Sequence, residues 1–130
     1  IPVKKSSAAA DDFFTGMFET ALEDDEIIES ISFSKPTKAN YVKFPNPASR
    51  YAMVGVFVAQ FGDEVRVAVT GAGEGGVFRH QEMESVLSNN FSADSLSSVN
   101  IDSDGLISDL HASAEYRANL IKEMTKRAVV

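Results

Sequence analysis

The longest hydrophobic stretch of the chain, residues 49–71, has the pattern of a β-hairpin. Residues 51–61 are rich in Val, Phe and Tyr and contain one strongly polar side chain, Gln60, which is typical of a strand covered on both faces. After a turn at residues 62–64, apolar and other residues alternate, with Val65, Val67 and Val69 on one side. We therefore predict a central strand followed by a second strand that lies nearer an edge of the sheet.

A strongly apolar helix is predicted ahead of the hairpin, after a polar lead-in. Residues 1–10 are mostly small, polar or basic and are typical of a flexible segment. From Asp11 onward apolar side chains recur at helical spacing, and Asp11 and Asp12 suit the start of a helix. The apolar stripe consists of Phe13, Phe14, Met17, Phe18, Ala21 and Leu22. Such a stripe requires a large partner surface.

Two shorter strands are predicted between this helix and the hairpin. An acidic turn at residues 23–26 leads to residues 27–33, which alternate as in a strand and are closed by Pro36. Residues 40–44 predict a second strand. The prolines in residues 45–47 end it, because proline has no backbone N–H to donate.

Helices dominate the pattern after the glycine-rich turn at residues 71–76. The pattern predicts a helix over residues 80–87, which Asn89 and Asn90 end. It also predicts a short helix over residues 92–99 and a final helix over residues 113–128. The inward positions are Met83, Val86 and Leu87 in the first of these, and Tyr116, Leu120, Ile121, Met124 and Ala128 in the last. A sheet followed by helices favours an α+β fold, with an antiparallel sheet of three to four strands and helices packed on one face.

Composition excludes several classes of function. The 130 residues suffice for one domain with a core, and a net charge of -7 argues against a nucleic-acid partner. The chain has no cysteine, so disulfides, thiolate nucleophiles and cysteine-based metal sites are excluded. No apolar run approaches the roughly 18–20 residues that span a bilayer. We expect a cytoplasmic protein, and the start at Ile1 indicates a piece of a longer chain.

The glycine run at residues 71–76 fits the G-x-G-x-x-G fingerprint of dinucleotide-binding folds. Its surroundings argue against that function, because the preceding strand belongs to a hairpin and no second parallel strand follows. Glu74, Glu82 and Glu84 would also place negative charge where a pyrophosphate binds. We interpret the run as a plain turn and keep a nucleotide site there as an alternative.

Other apparent motifs also fall short of a catalytic or metal site. Residues 100–107 imitate the start of a calcium loop, but the twelfth position is His111, where a bidentate glutamate is needed, so we predict a turn stabilised by Asp and Asn. His80 and His111 have no metal-ligand spacing and are expected at the surface or at a helix start. Ser49 and Ser85 lack the flanking glycines of a nucleophile elbow. We predict no catalytic residue and no metal ligand in this chain.

Three blocks of sequence together resemble a known family. They are DFFTGMFETALEDDEIIESI at residues 12–31, NYVKFPNPASRYAMVGVFVA at residues 40–59 and HASAEYRANLIKEMTKRAV at residues 111–129. The most specific features are Phe13, Phe14, Leu22 and the Glu26-Ile27 pair, the strand with Tyr41, Lys43 and Phe44, and the AEYR helix start at Ala114 to Arg117. The chain resembles the C-terminal domain of the FAD-binding medium subunit of molybdenum hydroxylases, the carbon monoxide dehydrogenase and xanthine dehydrogenase family.

The resemblance implies a role in electron transfer. In that family the medium subunit carries FAD and passes electrons from iron–sulfur clusters of a small subunit to an acceptor, while a large subunit with the molybdenum cofactor hydroxylates the substrate. Residues 1–24 would be a lead-in and a helix that belong to the end of a preceding FAD domain. Residues 25–130 would be the C-terminal domain, which closes one side of the flavin site without being catalytic alone. The glycine-rich segments that hold most of FAD would lie in the preceding domains.

The resemblance also implies two cofactor-binding residues. Ile28 would pack against the flavin, and Lys43 would place a cation near the N1 and carbonyl edge of the ring, where it favours the reduced, anionic flavin. For Lys43 the alternative is a solvated strand lysine. For the whole chain the alternative is a stand-alone α+β interaction module without a redox role, because apolar surface left exposed on a small domain indicates a missing partner.

Overall fold

The computed structural model describes residues 5–129, in which a four-stranded antiparallel sheet is backed by helices. The sheet has the spatial order β3 (Lys38–Pro45), β4 (Ala52–Phe61), β5 (Glu64–Gly73) and β6 (Gly76–Arg79), and it is followed by α2 (Gln81–Asn89), a 3₁₀ helix (Ala93–Ser98) and α3 (Ala114–Ala128). One helical turn, α1 (Ala10–Phe13), and a small hairpin of β1 (Phe14–Gly16) and β2 (Glu19–Thr20) precede the sheet. The predicted α+β class, with an antiparallel sheet and helices on one face, is confirmed.

The core forms where one face of the sheet meets α2 and α3. The alternating valines of the hairpin pair directly across the strands, Val56 with Val69 and Val58 with Val67, and all are almost fully buried. The helices cover them with Met83, Leu87, Leu96, Leu120, Ile121 and Met124. Each such side chain contributes about 1.5–3 kcal/mol when it leaves water, so this single layer is the main source of apolar stabilisation.

Polar caps set the starts of the three helices, close to the predicted positions. The Ser113 hydroxyl accepts a hydrogen bond from the N–H of Tyr116 at 3.2 Å, and the Ser92 hydroxyl accepts one from Asp94 at 3.3 Å. His80 caps α2 through its ring Nδ1. The three predicted helices after residue 76 are therefore confirmed, the middle one being a 3₁₀ helix.

The glycine run closes a second hairpin, which corrects the expected place of β5. Gly73 pairs with Gly76 and Val69 pairs with Phe78, so the turn consists of Glu74 and Gly75. β5 is therefore an inner strand like β4, and β6 forms the edge. The prediction that the second hairpin strand lies nearer an edge was wrong, because the short β6 was not recognised as a strand.

Side chains of α2 form hydrogen bonds with the part of β5 that β6 is too short to pair with. The N–H of Val67 donates to Oε1 of Glu84 at 3.0 Å, and the N–H of Val65 donates to the hydroxyl of Ser88 at 2.9 Å. Arg79 orients Glu84 by two further hydrogen bonds, at 2.8 and 2.7 Å. A buried amide without a partner costs about 1–3 kcal/mol, so these side chains take the place of a neighbouring strand.

The segment before the sheet differs most from prediction. The helix expected from Asp11 to Leu22 is wrong beyond one turn, because α1 ends at Phe13 and the β1–β2 hairpin follows. Residues 21–37 contain neither helix nor strand, so the strand predicted over residues 27–33 is also wrong. Of the predicted lead-in, residues 5–9 are exposed and without regular structure, whereas residues 1–4 lie outside the described residues.

Both failures have one physical cause, the lack of a packing partner. We call residues 14–33 the arm. Its large apolar side chains are exposed, and within residues 5–129 none of them belongs to the core or to the residues packed on it. A short amphipathic helix is stable only when its apolar face is buried, and a lone strand needs a neighbour.

No helix in the described part of the chain has the length and apolar character that crossing a membrane requires.

Candidate functional site

The side of the sheet that faces away from the helices is open, and it carries Lys43. Cross-strand pairing makes neighbours of Tyr41 and Phe57, of Lys43 and Gly55, and of Gly55 and Thr70. Tyr41 and Phe57 remain 47% and 42% exposed although both are large and aromatic. We call Tyr41, Lys43, Gly55, Phe57 and Thr70 the open face.

Gly55 makes room for the side chain of Tyr41. A Cβ atom at position 55 would collide with the Tyr41 hydroxyl and would lie 2.6 Å from the hydroxyl of Thr70. The phenol ring therefore lies across the backbone of β4 and ends beside Thr70. The result is a flat, partly aromatic surface in the middle of the sheet.

Lys43 lies beside this surface and is held by the turn between β3 and β4. Its Nζ donates to the carbonyl of Arg50 at 2.9 Å. The turn is closed by Asn46, whose side chain accepts from the N–H of Ala48 and whose carbonyl accepts from the N–H of Arg50, both at 2.9 Å. Arg50 adopts a left-handed conformation with φ of 64°, which favours glycine and is uncommon for other residues.

The charge at this turn is positive and is not neutralised locally. Within residues 5–129 neither Lys43 nor Arg50 has a carboxylate at ion-pair distance. The open face thus carries one cation without an ion-pair partner in the described residues, Lys43, and the adjoining turn carries another, Arg50. Such an arrangement suits an aromatic ligand with an electron-rich or anionic edge.

Ile28, the other predicted cofactor-binding residue, lies in the arm. Its side chain is half exposed and is not among the residues packed on the core. The structure therefore places Ile28 and Lys43 on different elements, an irregular segment and a strand. Both assignments stay predictions.

Sequence reasoning missed the role of Arg117, which it noted only as part of the AEYR block. This arginine is 3% exposed, and its guanidinium donates to the carbonyls of Met53 at 2.7 Å and Gly71 at 3.2 Å. It also forms an ion pair with Asp109 at 2.9 Å. The helix is thereby tied to β4 and β5. A signal was present, since Arg117 stands four residues before Ile121 on the apolar stripe of α3.

The carboxylate of Asp109 is strongly engaged by its own turn. The N–H groups of His111 and Ala112 donate to it and lower its pKa below the ordinary value, and Arg117 acts in the same direction. The Asp109 carboxylate therefore stays ionised at neutral pH and is bonded at both oxygens. It is a structural anchor of the loop before α3.

The surroundings of the glycine run argue against a phosphate site. It borders a depression of about 320 Å³ whose other side is the loop around Asp102 and Asp104. These carboxylates would repel a phosphate.

The calcium-like loop is a turn stabilised by an aspartate, as predicted, because Oδ1 of Asp102 accepts from the N–H of Asp104 at 3.0 Å. Within residues 5–129 no three His, Asp or Glu side chains are grouped so that they could hold a metal ion.

Nearly the whole chain is similar to a named subunit of a hydroxylase. It is 34% identical, over 131 aligned residues that cover 93% of its length, to the nicotine 6-hydroxylase medium subunit of Paenarthrobacter nicotinovorans. The relative is the medium subunit of a hydroxylase. The chain spans 46% of that protein, about half its length. No family model and no solved structure matches the chain. This similarity supports the part of the resemblance that concerns the medium subunit of a hydroxylase.

Proposed function

We propose that the chain is the C-terminal part of the FAD-binding medium subunit of a molybdenum hydroxylase, where it closes one side of the flavin site. The observation that carries the proposal is the 34% identity to a hydroxylase medium subunit over 93% of the chain. The flavin would supply the electron-transfer chemistry between iron–sulfur clusters and an acceptor. Hydroxylation would take place at the molybdenum cofactor of a large subunit.

The open face fits the ring system of a flavin. Tyr41, laid flat by the absence of a Cβ at Gly55, forms with Phe57 an apolar surface on which a planar ring can pack. Lys43 stands next to Gly55 in the strand register and would hold positive charge at the edge of the ring. This geometry suits one wall of a site.

The same chain is a poor match for the phosphates of FAD. A pyrophosphate binds best to a glycine-rich loop that opens a helix, and the glycine run here joins two antiparallel strands instead. In the proposed role the phosphates and the adenosine are therefore held by preceding domains of the same subunit. Lys43 and the aromatic wall would then orient the ring and exclude water from one of its faces.

The composition of residues 11–34, which include the arm, supports a preceding domain as the partner of the arm. Between Asp11 and Ser34 the chain has eight Asp or Glu and no Lys or Arg, whereas residues 35–130 are almost neutral, with 11 acidic and 10 basic residues. Exposed apolar side chains occur throughout the same segment. We propose that residues 1–24 belong to the end of the FAD domain and that residues 25–130 form the C-terminal domain, with Ile28 reaching the ring once the arm is packed.

The test compares FAD binding by two lengths of the protein. The chain of residues 1–130 and the complete subunit, including the preceding residues, are titrated with FAD, and flavin fluorescence is followed. We expect binding by the complete subunit alone. Binding by the 130 residues would instead indicate an autonomous nucleotide site, for which the glycine run is the alternative candidate. A complete subunit that leaves fluorescence unchanged would contradict the flavin role and favour the interaction module.

A Lys43→Ala variant of the complete subunit tests the position of the cation. Loss of a positive charge that favours the reduced flavin should lower the midpoint potential by about 20–40 mV, which for a two-electron couple corresponds to roughly 1–2 kcal/mol. The matched control is Arg127→Ala, which removes an exposed cation at the far end of α3. Equal potentials in Lys43→Ala and the control would identify Lys43 as a solvated strand lysine.

A further inference from the structure

Arg117 stands on the side of α3 that faces the core, four residues before Ile121, where a hydrophobic side chain would also pack. The arginine is almost fully buried, and its Nε, buried as well, has no hydrogen-bond acceptor within residues 5–129. Its ion pair with Asp109 adds little net stability, because burial removes the hydration of the guanidinium. Stability therefore gives only a weak reason for an arginine at this position.

The guanidinium holds the point at which the pairing of β4 with β5 stops. The paired residues of these two strands end at Gly55 and Thr70, which both belong to the open face. Just beyond this point Arg117 donates to three acceptors, which are the carbonyls of Met53 at 2.7 Å and Gly71 at 3.2 Å and the carboxylate of Asp109 at 2.9 Å. We call these three hydrogen bonds the clasp.

One end of the clasp lies beside the open face. Thr70 directly precedes Gly71, whose carbonyl Arg117 binds, and the hydroxyl of Thr70 donates to the carbonyl of Gly55 at 3.4 Å. A Cβ atom at Gly71 would collide with the carbonyl oxygen of Ala52, so β4 and β5 approach each other closely here. A displacement of Gly71 would therefore reach the open face through the adjacent residue.

The other end of the clasp fixes the turn that holds Lys43. Met53 stands three residues after Arg50, whose carbonyl accepts from Nζ of Lys43 at 2.9 Å. Between them, the carbonyl of Tyr51 accepts from the N–H of Asn46 at 2.7 Å, which joins the turn to the start of β4. An ammonium group has three donors, so the bond to one carbonyl leaves two for a ligand. The clasp thus fixes the backbone from which the ammonium group is oriented.

We infer that Arg117 is a positioning residue for Lys43, because the clasp fixes the backbone that orients the ammonium group towards the edge of the flavin ring. The inference rests on the proposed function, since it takes the flavin to lie on the open face. A charge that is oriented before the ligand binds loses less conformational freedom and stabilises the reduced ring better than a mobile charge. Arg117 itself belongs to a helix behind the sheet and acts only through the backbone.

The experiment measures the flavin midpoint potential of the complete, FAD-loaded subunit as wild type, Arg117→Lys and Lys43→Ala. Arg117→Lys keeps the positive charge, but an ammonium group lacks the planar fork that binds two carbonyls and a carboxylate together. We expect the preference for reduced over oxidised flavin to fall about threefold, which lowers the potential by about 14 mV at roughly 30 mV per tenfold. The control Glu84→Ala destabilises the fold at Val67, away from the clasp, and should leave the potential unchanged.

A double variant distinguishes positioning from a direct effect of the Arg117 charge. If Arg117 acts through Lys43, the combination of Arg117→Lys with Lys43→Ala has the potential of Lys43→Ala alone, since the positioned group is absent. Additive shifts overturn the inference, as does a wild-type potential in Arg117→Lys. A shift in Glu84→Ala as large as that in Arg117→Lys also overturns it, because lost stability would then account for both.

Two further outcomes complete the test. If Arg117→Lys does not fold, Asp109→Asn takes its place, because it weakens the clasp and keeps an oxygen for the N–H groups of His111 and Ala112. A wild-type potential in Asp109→Asn then overturns the inference. If Lys43→Ala has the wild-type potential, the inference fails while FAD binding still supports the flavin role. A complete wild-type subunit that does not bind FAD overturns the proposed function itself.

Discussion

Replacing Glu84 with alanine removes the side chain that closes the uncovered edge of β5. The N–H of Val67 loses its acceptor, and Arg79 loses its carboxylate partner. The Glu84 side chain is 11% exposed, so water does not readily take its place at Val67. The change therefore tests whether a side chain of α2 accepts the backbone hydrogen bond that a neighbouring strand would otherwise accept from β5.

The expected loss of stability follows from these two contacts. A buried amide without an acceptor costs about 1–3 kcal/mol. The Arg79 side chain is 34% exposed, so water solvates much of the freed guanidinium and the lost ion pair adds only about 0–1 kcal/mol. Alanine favours the helix over glutamate by at most a few tenths of a kcal/mol. We expect Glu84→Ala to lower the free energy of unfolding by about 1–4 kcal/mol.

Urea unfolding followed by circular dichroism measures this loss, with two matched variants. Glu82→Ala changes the same residue type on an exposed position of α2 and should be nearly neutral. Glu84→Gln keeps an oxygen for the N–H of Val67 and should lose about half as much as Glu84→Ala. The reasoning is refuted if Glu84→Ala and Glu82→Ala unfold at the same urea concentration. Equal losses in Glu84→Gln and Glu84→Ala would assign the effect to the ion pair with Arg79.

Two further changes test the open face and the turn before α3. Gly55→Ala forces Tyr41 or its strand to move and should destabilise the fold by about 1–3 kcal/mol, measured by thermal unfolding; an unchanged midpoint would contradict the described packing. Asp109 has a depressed pKa when folded, so it stabilises the fold above its unfolded pKa of 3.8, and this contribution is lost as the pH falls through the lower folded value. Asp109→Asn should therefore be less stable than wild type at about pH 6 and should differ less from it at about pH 2.5. The same difference at both pH values would show that the charge of Asp109 is not responsible.

Local pattern was sufficient for the longer elements whose partner surface lies in the chain itself. Val65, Val67 and Val69 alternate because one face of β5 meets the core. The predicted stripe of α3 faces the same core except for Tyr116, which is exposed. The polar caps at Ser92 and Ser113 mark helix starts by a local hydrogen bond that needs no tertiary context. These elements were predicted close to their observed bounds.

The same reasoning failed in the arm, whose large apolar side chains find no surface to pack on within the described residues. Phe14 and Phe18 have helical spacing, but Phe18 adopts φ of 58° in the tight turn of the β1–β2 hairpin. Spacing indicates which face would be buried and cannot supply the surface that buries it. The short β6 was missed for a related reason. Its four residues pair with β5 across a glycine turn, and such a short segment has little periodicity of its own.

The sequence by itself determined the class of the fold, the long hairpin, the three helices that follow it and the resemblance to a flavin subunit, because these depend on local periodicity, capping and residue identity. Only the tertiary structure decided which side chains meet. Strand register lays Tyr41 over Gly55, the fold of the β3–β4 turn directs Lys43 to the carbonyl of Arg50, and packing of α3 buries Arg117 against β4 and β5. These contacts join residues distant in sequence, so they follow from the register and docking of whole elements rather than from any local pattern.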